Sequence, residues 1–143
     1  MNLILQDIDF RELEYSYGPT VAQAVLNTLT LFNQRFKFLG IGRTRAVYTS
    51  SSGKYVMKVP VTSEGFTDNQ RESRIYKSYP NSIYARAHLH HILPVGIPVL
   101  FMEHIQPTIK TLNELPSWVM SIDGAQVGLD QNGNLKAYDY GDQ

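Results

Sequence analysis

Residues 97–105, IPVLFMEHI, are nearly all apolar, which places this run in the interior of a sheet rather than at an edge with one face in water. HILPVG lies just before it, and the two read as a strand pair joined at Gly96. Residues 37–60 have the same texture in shorter pieces. KFLGIG, RAVYTS and YVMKVP read as short antiparallel strands, with the turn SSGK and its Gly53 joining the last two. Near the other end, AQVGL, the turn DQNG and NLKAYDYG form a hairpin with Asn132-Gly133 at its tip, the strongest turn signal in the chain.

Helical periodicity marks two further elements. After Gly18-Pro19, Thr20 is expected to cap a helix whose Val21, Val25, Leu26, Leu29 and Phe32 make one apolar stripe, ending near Phe36. TSEGFTDNQ reads as a polar loop. Thr67 or Asp68 then caps a second helix, NQRESRIYKSY, with Ile75, Tyr76 and Tyr79 on its buried side and Pro80 closing it. A short helix is expected from Pro116 through Trp118 and Met120. Helix, strands, helix, strands, short helix and hairpin make an α+β domain, and 143 residues with 43% apolar content suffice for one core.

Bulk properties remove several functions. Thirteen basic residues balance thirteen acidic ones, so the general attraction that nucleic-acid or anionic-membrane binding uses is missing, and neither partner is expected. With no cysteine there is no disulfide, thiolate metal site or cysteine nucleophile. The start of the chain gains Asp7, Asp9, Glu12 and Glu14 with no basic region before them, unlike a leader peptide, and no apolar run approaches a membrane span. A cytoplasmic protein is the expectation. His88, His90 and His91 lack a neighbouring carboxylate and read as solvent-facing or stacking rather than metal-binding. The nine tyrosines read as core and interface residues.

Four features carry chemistry. Gly40 and Gly42 at a strand end let backbone N–H groups approach an anion, or simply make a turn. Lys58 interrupts the apolar strand YVMKVP; it either alternates out to solvent or needs a carboxylate to offset its desolvation. Glu72, on the second helix, can reach Lys58 or pair on the surface with Arg71 or Arg74. Asp139 ends the last strand, where a carboxylate can hold a magnesium ion against phosphates, or is an ordinary loop aspartate.

A glycine loop, strand lysine, helix glutamate, apolar strand and Asp-Tyr-Gly, in that order, resemble the protein-kinase-like fold over residues 38–141. Gly40, Gly42 and Val47 match the family's G-x-G-x-x-G-x-V, with Arg45 in place of the third glycine. The resemblance implies a kinase N-lobe: an antiparallel sheet with one main packed helix, an N-terminal helix and a C-terminal hairpin. It implies a site for ATP and magnesium, with Lys58 on the phosphates, Glu72 its partner and Asp139 on the metal. Phe101-Met102-Glu103-His104-Ile105 then resembles the gatekeeper strand and hinge, where backbone groups of Glu103 and Ile105 would meet an adenine. Arg45, a guanidinium in the phosphate loop, either clamps an anion or fills the site in its place.

The family's catalytic loop is degenerate here. Gln126 falls where its metal-binding Asn belongs and Ser121 where its catalytic Asp belongs, with Asp123 a nearby substitute for that base. Twenty residues separate Ile105 from Gln126, and two follow Gly141, so the helical lobe that seats protein substrates is expected to be missing. The chain then reads as one truncated kinase-like domain: a helical extension at 1–36, sheet and helix at 37–105, and a hinge-side segment with hairpin at 106–143. Three functions follow: a pseudokinase that regulates or inhibits by binding a protein or a second copy through an exposed apolar face; a minimal ATP-dependent kinase; or a small α+β module with no nucleotide site.

Overall fold

A computed structural model describes residues 2–80, 83–107, 116, 118 and 126–140. Its frame is a five-stranded antiparallel sheet of β1 (Lys37–Ile41), β2 (Arg45–Thr49), β3 (Tyr55–Pro60), β4 (Ala87–Ile92) and β5 (Ile97–Glu103), in the order β1-β2-β3-β5-β4. The apolar run expected inside the sheet is β5, held between β3 and β4. Gly53 and Gly96 take positive φ at the turns expected of them.

Strand alternation divides the sheet into two unlike faces. Ala46, Tyr48, Met57, Val59, Ile97 and Val99 point to one side, where α1 (Arg11–Tyr17) and α2 (Pro19–Arg35) cover them with Leu13, Val25, Leu29 and Phe32. Val56, Leu100 and Met102 point to the other side. There α3 (Ser63–Ser78) and a small second sheet of β6 (Gln106–Pro107), β7 (Val127–Leu129) and β8 (Leu135–Ala137) pack on them. The Ala85 N–H donates to the Ala137 carbonyl at 2.8 Å and the buried Tyr140 hydroxyl to the Ala85 carbonyl at 2.8 Å, fastening the second sheet to the first. Gly133 makes the expected β7–β8 turn, and Asp130 accepts the Asn132 and Asn134 N–H groups around it.

Three sequence expectations change. Helix α2 is preceded by Gly18 and has Pro19 in its first turn, so Thr20 is not its cap; its buried side runs through Ala22, Val25, Leu29 and Phe32. Helix α1 was not anticipated. Helix α3 begins at Ser63, where Thr62 caps it by accepting the Gly65 N–H, so most of the stretch read as a polar loop is helical. Its fully buried side is Gly65, Asp68, Asn69, Glu72 and Ser73, while Ile75 and Tyr76 are half-buried and Tyr79 is exposed. A polar face is buried because it meets two cations. The helix expected near Pro116 falls largely outside the described residues.

Candidate functional site

Lys58 and Arg45 leave adjacent strands on the same sheet face, toward α3, because Lys58 pairs with Val47 and Arg45 lies two residues from Val47 along β2. Both are buried, with 6% and 8% of their surface exposed. Glu72, with none, takes one cation on each oxygen: Lys58 Nζ lies 2.9 Å from Oε1 and Arg45 Nη1 2.8 Å from Oε2. Arg45 Nη1 also donates to Asn69 Oδ1 at 3.1 Å, and its Nη2 to Asp139 Oδ1 at 3.0 Å. Lys58 donates once more, to the Tyr138 carbonyl at 2.7 Å. The Asn69 amide, in turn, donates to the carbonyls of Lys58 and Pro98, both at 2.8 Å, and ties α3 to the sheet.

The electrostatics follow from this closeness. Burial pushes the Lys58 ammonium below its ordinary value; Glu72 opposes the shift and the Arg45 charge adds to it. Burial also works against the Arg45 charge, but Glu72 and Asp139 outweigh it and its pKa rises. Asp68 is raised by burial, against the Thr44 hydroxyl that donates to it at 3.0 Å and the nearby Arg45.

Over this cluster lies a cleft of about 440 Å³, within the range of small-molecule sites. Its polar end carries Arg45, Lys58, Asp68 and Asp139. Leu39, Val47, Val56, Met102 and Ile105 line the apolar part, with Gln126 and Tyr138 contributed from the second-sheet region. At the mouth, Arg43 and Glu64 form an exposed pair at 2.6 Å. The Glu103 carboxylate accepts from Arg86 Nε at 3.0 Å, and its backbone N–H donates to the Arg86 carbonyl at 2.9 Å.

Of the residues singled out in the sequence, the cleft brings together Gly42, Val47, Lys58, Met102, Glu103, Ile105, Gln126 and Asp139, with Glu72 beneath Lys58. Gly40 lies within β1 and is not part of the lining. Asp123 and Ser121 lie outside the described residues. Sequence reasoning missed Asn69, Asp68 and the Tyr138 carbonyl. The spacing of Gly65, Asp68, Asn69, Glu72 and Ser73 is a helical stripe of small and polar residues; it was hidden because the helix was started too late.

Lys58, Arg45, Glu72 and Asp139, the charged groups that a triphosphate and magnesium would meet, already bond one another. Lys58 donates to two protein oxygens and Arg45 to three, and one Asp139 oxygen is held by the guanidinium. Among the described residues no group of three His, Asp or Glu side chains is placed to hold a metal. The histidines of β4 are exposed, His88 beside the Tyr76 ring at 6.0 Å and His90 against Phe101 at 4.4 Å between ring centroids. Among the described residues no helix is long and apolar enough to cross a membrane.

No protein-family model matches the chain, and no curated protein matches it. Among solved structures it is similar to APH(2")-IIa, seen in a ternary complex with streptomycin and ATP, at 15% identity and a TM-score of 0.40. The likeness covers 65% of this chain and 33% of that one, so the chain spans about a third of the length of that protein.

Proposed function

We propose that the chain is a kinase-like protein that has given up phosphotransfer and acts by binding another protein as a regulator or inhibitor. The observation that carries this reading is the Arg45 guanidinium, buried between Glu72, Asn69 and Asp139 at the polar end of the cleft. A phosphate-transferring site needs cations free to neutralise the migrating group and carboxylates free to hold magnesium. Here Lys58, Arg45, Glu72 and Asp139 are bonded to one another. A protein partner is favoured by the apolar side chains left open on the surface, with Leu93 at 80% exposure beside Val95 and Leu31.

The test is phosphate release from ATP and magnesium by the purified chain, alongside Asp139→Ala. The wild type is expected to equal the variant and the blank. Turnover present in the wild type and abolished in Asp139→Ala overturns the proposal and favours the second reading, a minimal ATP-dependent kinase. That second reading draws on the intact Lys58–Glu72 pair and on a cleft with room for a nucleotide.

A further inference from the structure

Helix α2 presents to solvent a side without charge. From residue 19 to residue 34 the chain has no Asp, Glu, Lys, Arg or His, although charged residues make up 18% of the whole. Burial accounts for Ala22, Val25, Leu29 and Phe32, but not for Thr20, Gln23, Asn27, Thr30 and Leu31, which are exposed. The solvent side of a helix ordinarily carries charges. Residues 92–102 are uncharged as well, and Leu93, Pro94 and Val95 stand exposed at the β4–β5 turn.

The two stretches meet in a groove of about 610 Å³, lined by Gln23, Asn27 and Leu31 from α2 and by Ile92, Leu93 and Val95 from the turn, and none of its lining residues is charged. Leu93, with 80% of its surface exposed, makes the turn an apolar lip. A lip and a groove side by side are self-complementary: about a two-fold axis, each copy offers the lip that fills the groove of the other. Polar groups match in the same way. Gln23 Nε2 donates to Asn27 Oδ1 at 2.9 Å, which leaves an acceptor oxygen on Gln23 and donor hydrogens on Asn27 to meet their counterparts in a facing copy.

Charge favours a second copy over an unlike protein as the occupant. Across a two-fold contact a charged group near the axis meets its own image, so a face that pairs with itself is best without charge, whereas an unlike partner can supply the opposite sign. Thirteen basic residues balance thirteen acidic ones, so no net charge holds two copies apart. We propose that this face is a two-fold interface between copies of the chain, with the Leu93–Val95 lip of each seated in the α2 groove of the other. The inference rests on the reading of the open apolar side chains as a protein-binding surface and names what covers them; the regulator is then a dimer. Its charged cleft lies on the other face of the five-stranded sheet and shares no lining residue with the groove, so the pairing leaves the cleft open.

Sedimentation velocity of the purified chain through the micromolar range tests this, beside Leu93→Asp on the lip, Asn27→Asp on the facing wall and Tyr79→Asp as a control. All three positions are exposed, so each variant is expected to keep the wild-type circular dichroism spectrum. The wild type should sediment as a closed dimer. Leu93→Asp and Asn27→Asp should each weaken the dimer at least tenfold, because each brings two carboxylates into an uncharged contact. Tyr79→Asp, at a residue 61% exposed and outside the groove, should dimerise as the wild type does. A wild type that stays monomeric overturns the inference and leaves the proposed function standing, with the face open to a different protein. A dimer indifferent to both groove variants, or lost in Tyr79→Asp, places the contact elsewhere and also overturns it. Growth past the dimer with rising concentration overturns the two-fold arrangement. ATP turnover abolished in Asp139→Ala overturns the proposed function and leaves the dimer untouched, so the two failures are read separately.

Discussion

Glu72 has no surface in water and two cations on its two oxygens, so the consequences of removing each partner are unequal. Glu72→Gln removes the negative charge between the buried Lys58 and Arg45 and turns an NH2 donor toward one of them, and uncompensated buried charge costs about 3–5 kcal/mol. Lys58→Met leaves Glu72 still paired with Arg45 and loses hydrogen bonds to one oxygen and one carbonyl, at about 1–3 kcal/mol. Urea denaturation of the two variants should therefore rank Glu72→Gln as clearly the less stable. Equal losses would mean that Arg45 does not support Glu72 in solution. The pair itself was legible in the sequence, because a lysine amid Val56, Met57 and Val59 is an anomaly that asks for a carboxylate. Arg45 was legible only as a choice between clamping an anion and filling the site. The choice depends on which face of β2 the side chain leaves from and on Asn69 and Asp139 meeting there, and those positions lie 24 and 94 residues away.

Helix α3 is the element that holds this cluster, and its first turns are bound from two sides. Gly65 approaches β2 and β3 so closely that a Cβ there would lie 2.2 Å from the Thr44 carbonyl oxygen and 3.1 Å from the Pro60 Cβ. Alanine normally stabilises a helix interior over glycine by about 0.5–1 kcal/mol. Here the sign should reverse: Gly65→Ala is expected to cost about 1–3 kcal/mol, because the obstacle is backbone and cannot rotate aside. A thermal melt with Tm above wild type would contradict the close approach. On the other side, Glu12 of α1 accepts the Ser63 N–H at 2.7 Å and the Ser63 hydroxyl at 2.5 Å, a carboxylate at a helix N-terminus. Hydrogen bonds from Ser16 and Ser63 hold the Glu12 carboxyl below its ordinary 4.5. A depressed carboxyl stabilises the fold above its unfolded value and loses that contribution as pH falls through the folded one. The stability gap between wild type and Glu12→Gln, measured by melts from pH 7 to pH 3, should thus be widest at pH 7 and shrink below about pH 4.5; a gap constant with pH would remove Glu12 from this role. None of this was readable from local pattern. A helix whose buried side is Gly, Asp, Asn, Glu and Ser looks like a solvated loop until the cations beneath it are known.

On the scale of the whole molecule, the five-stranded sheet is covered on both faces, and residues 1–36 make one of the covers. Leu13, Val25, Leu29 and Phe32 meet Tyr48, Met57, Val59 and Val99 in one continuous cluster, and Asn33 accepts the Tyr48 hydroxyl at 2.9 Å. The period of α2 was plain in the sequence, but periodicity names a face and not its partner, so residues 1–36 read there as an extension. Helix α1 was invisible for a related reason: seven residues with only Leu13 fully buried give no stripe. If the N-terminal helices are half of the core, a chain starting at residue 37 exposes the apolar side of β2, β3 and β5 and has nothing to offset it. That chain should show no cooperative thermal transition by circular dichroism and should aggregate. A single cavity in the same layer, Leu29→Ala, should instead keep one cooperative transition while losing about 2–5 kcal/mol. The pair of experiments separates a weakened core from a missing one. A cooperative melt of residues 37–143 at the wild-type Tm would make the helices an appendage, and the sheet would have to draw its stability from the α3 side alone.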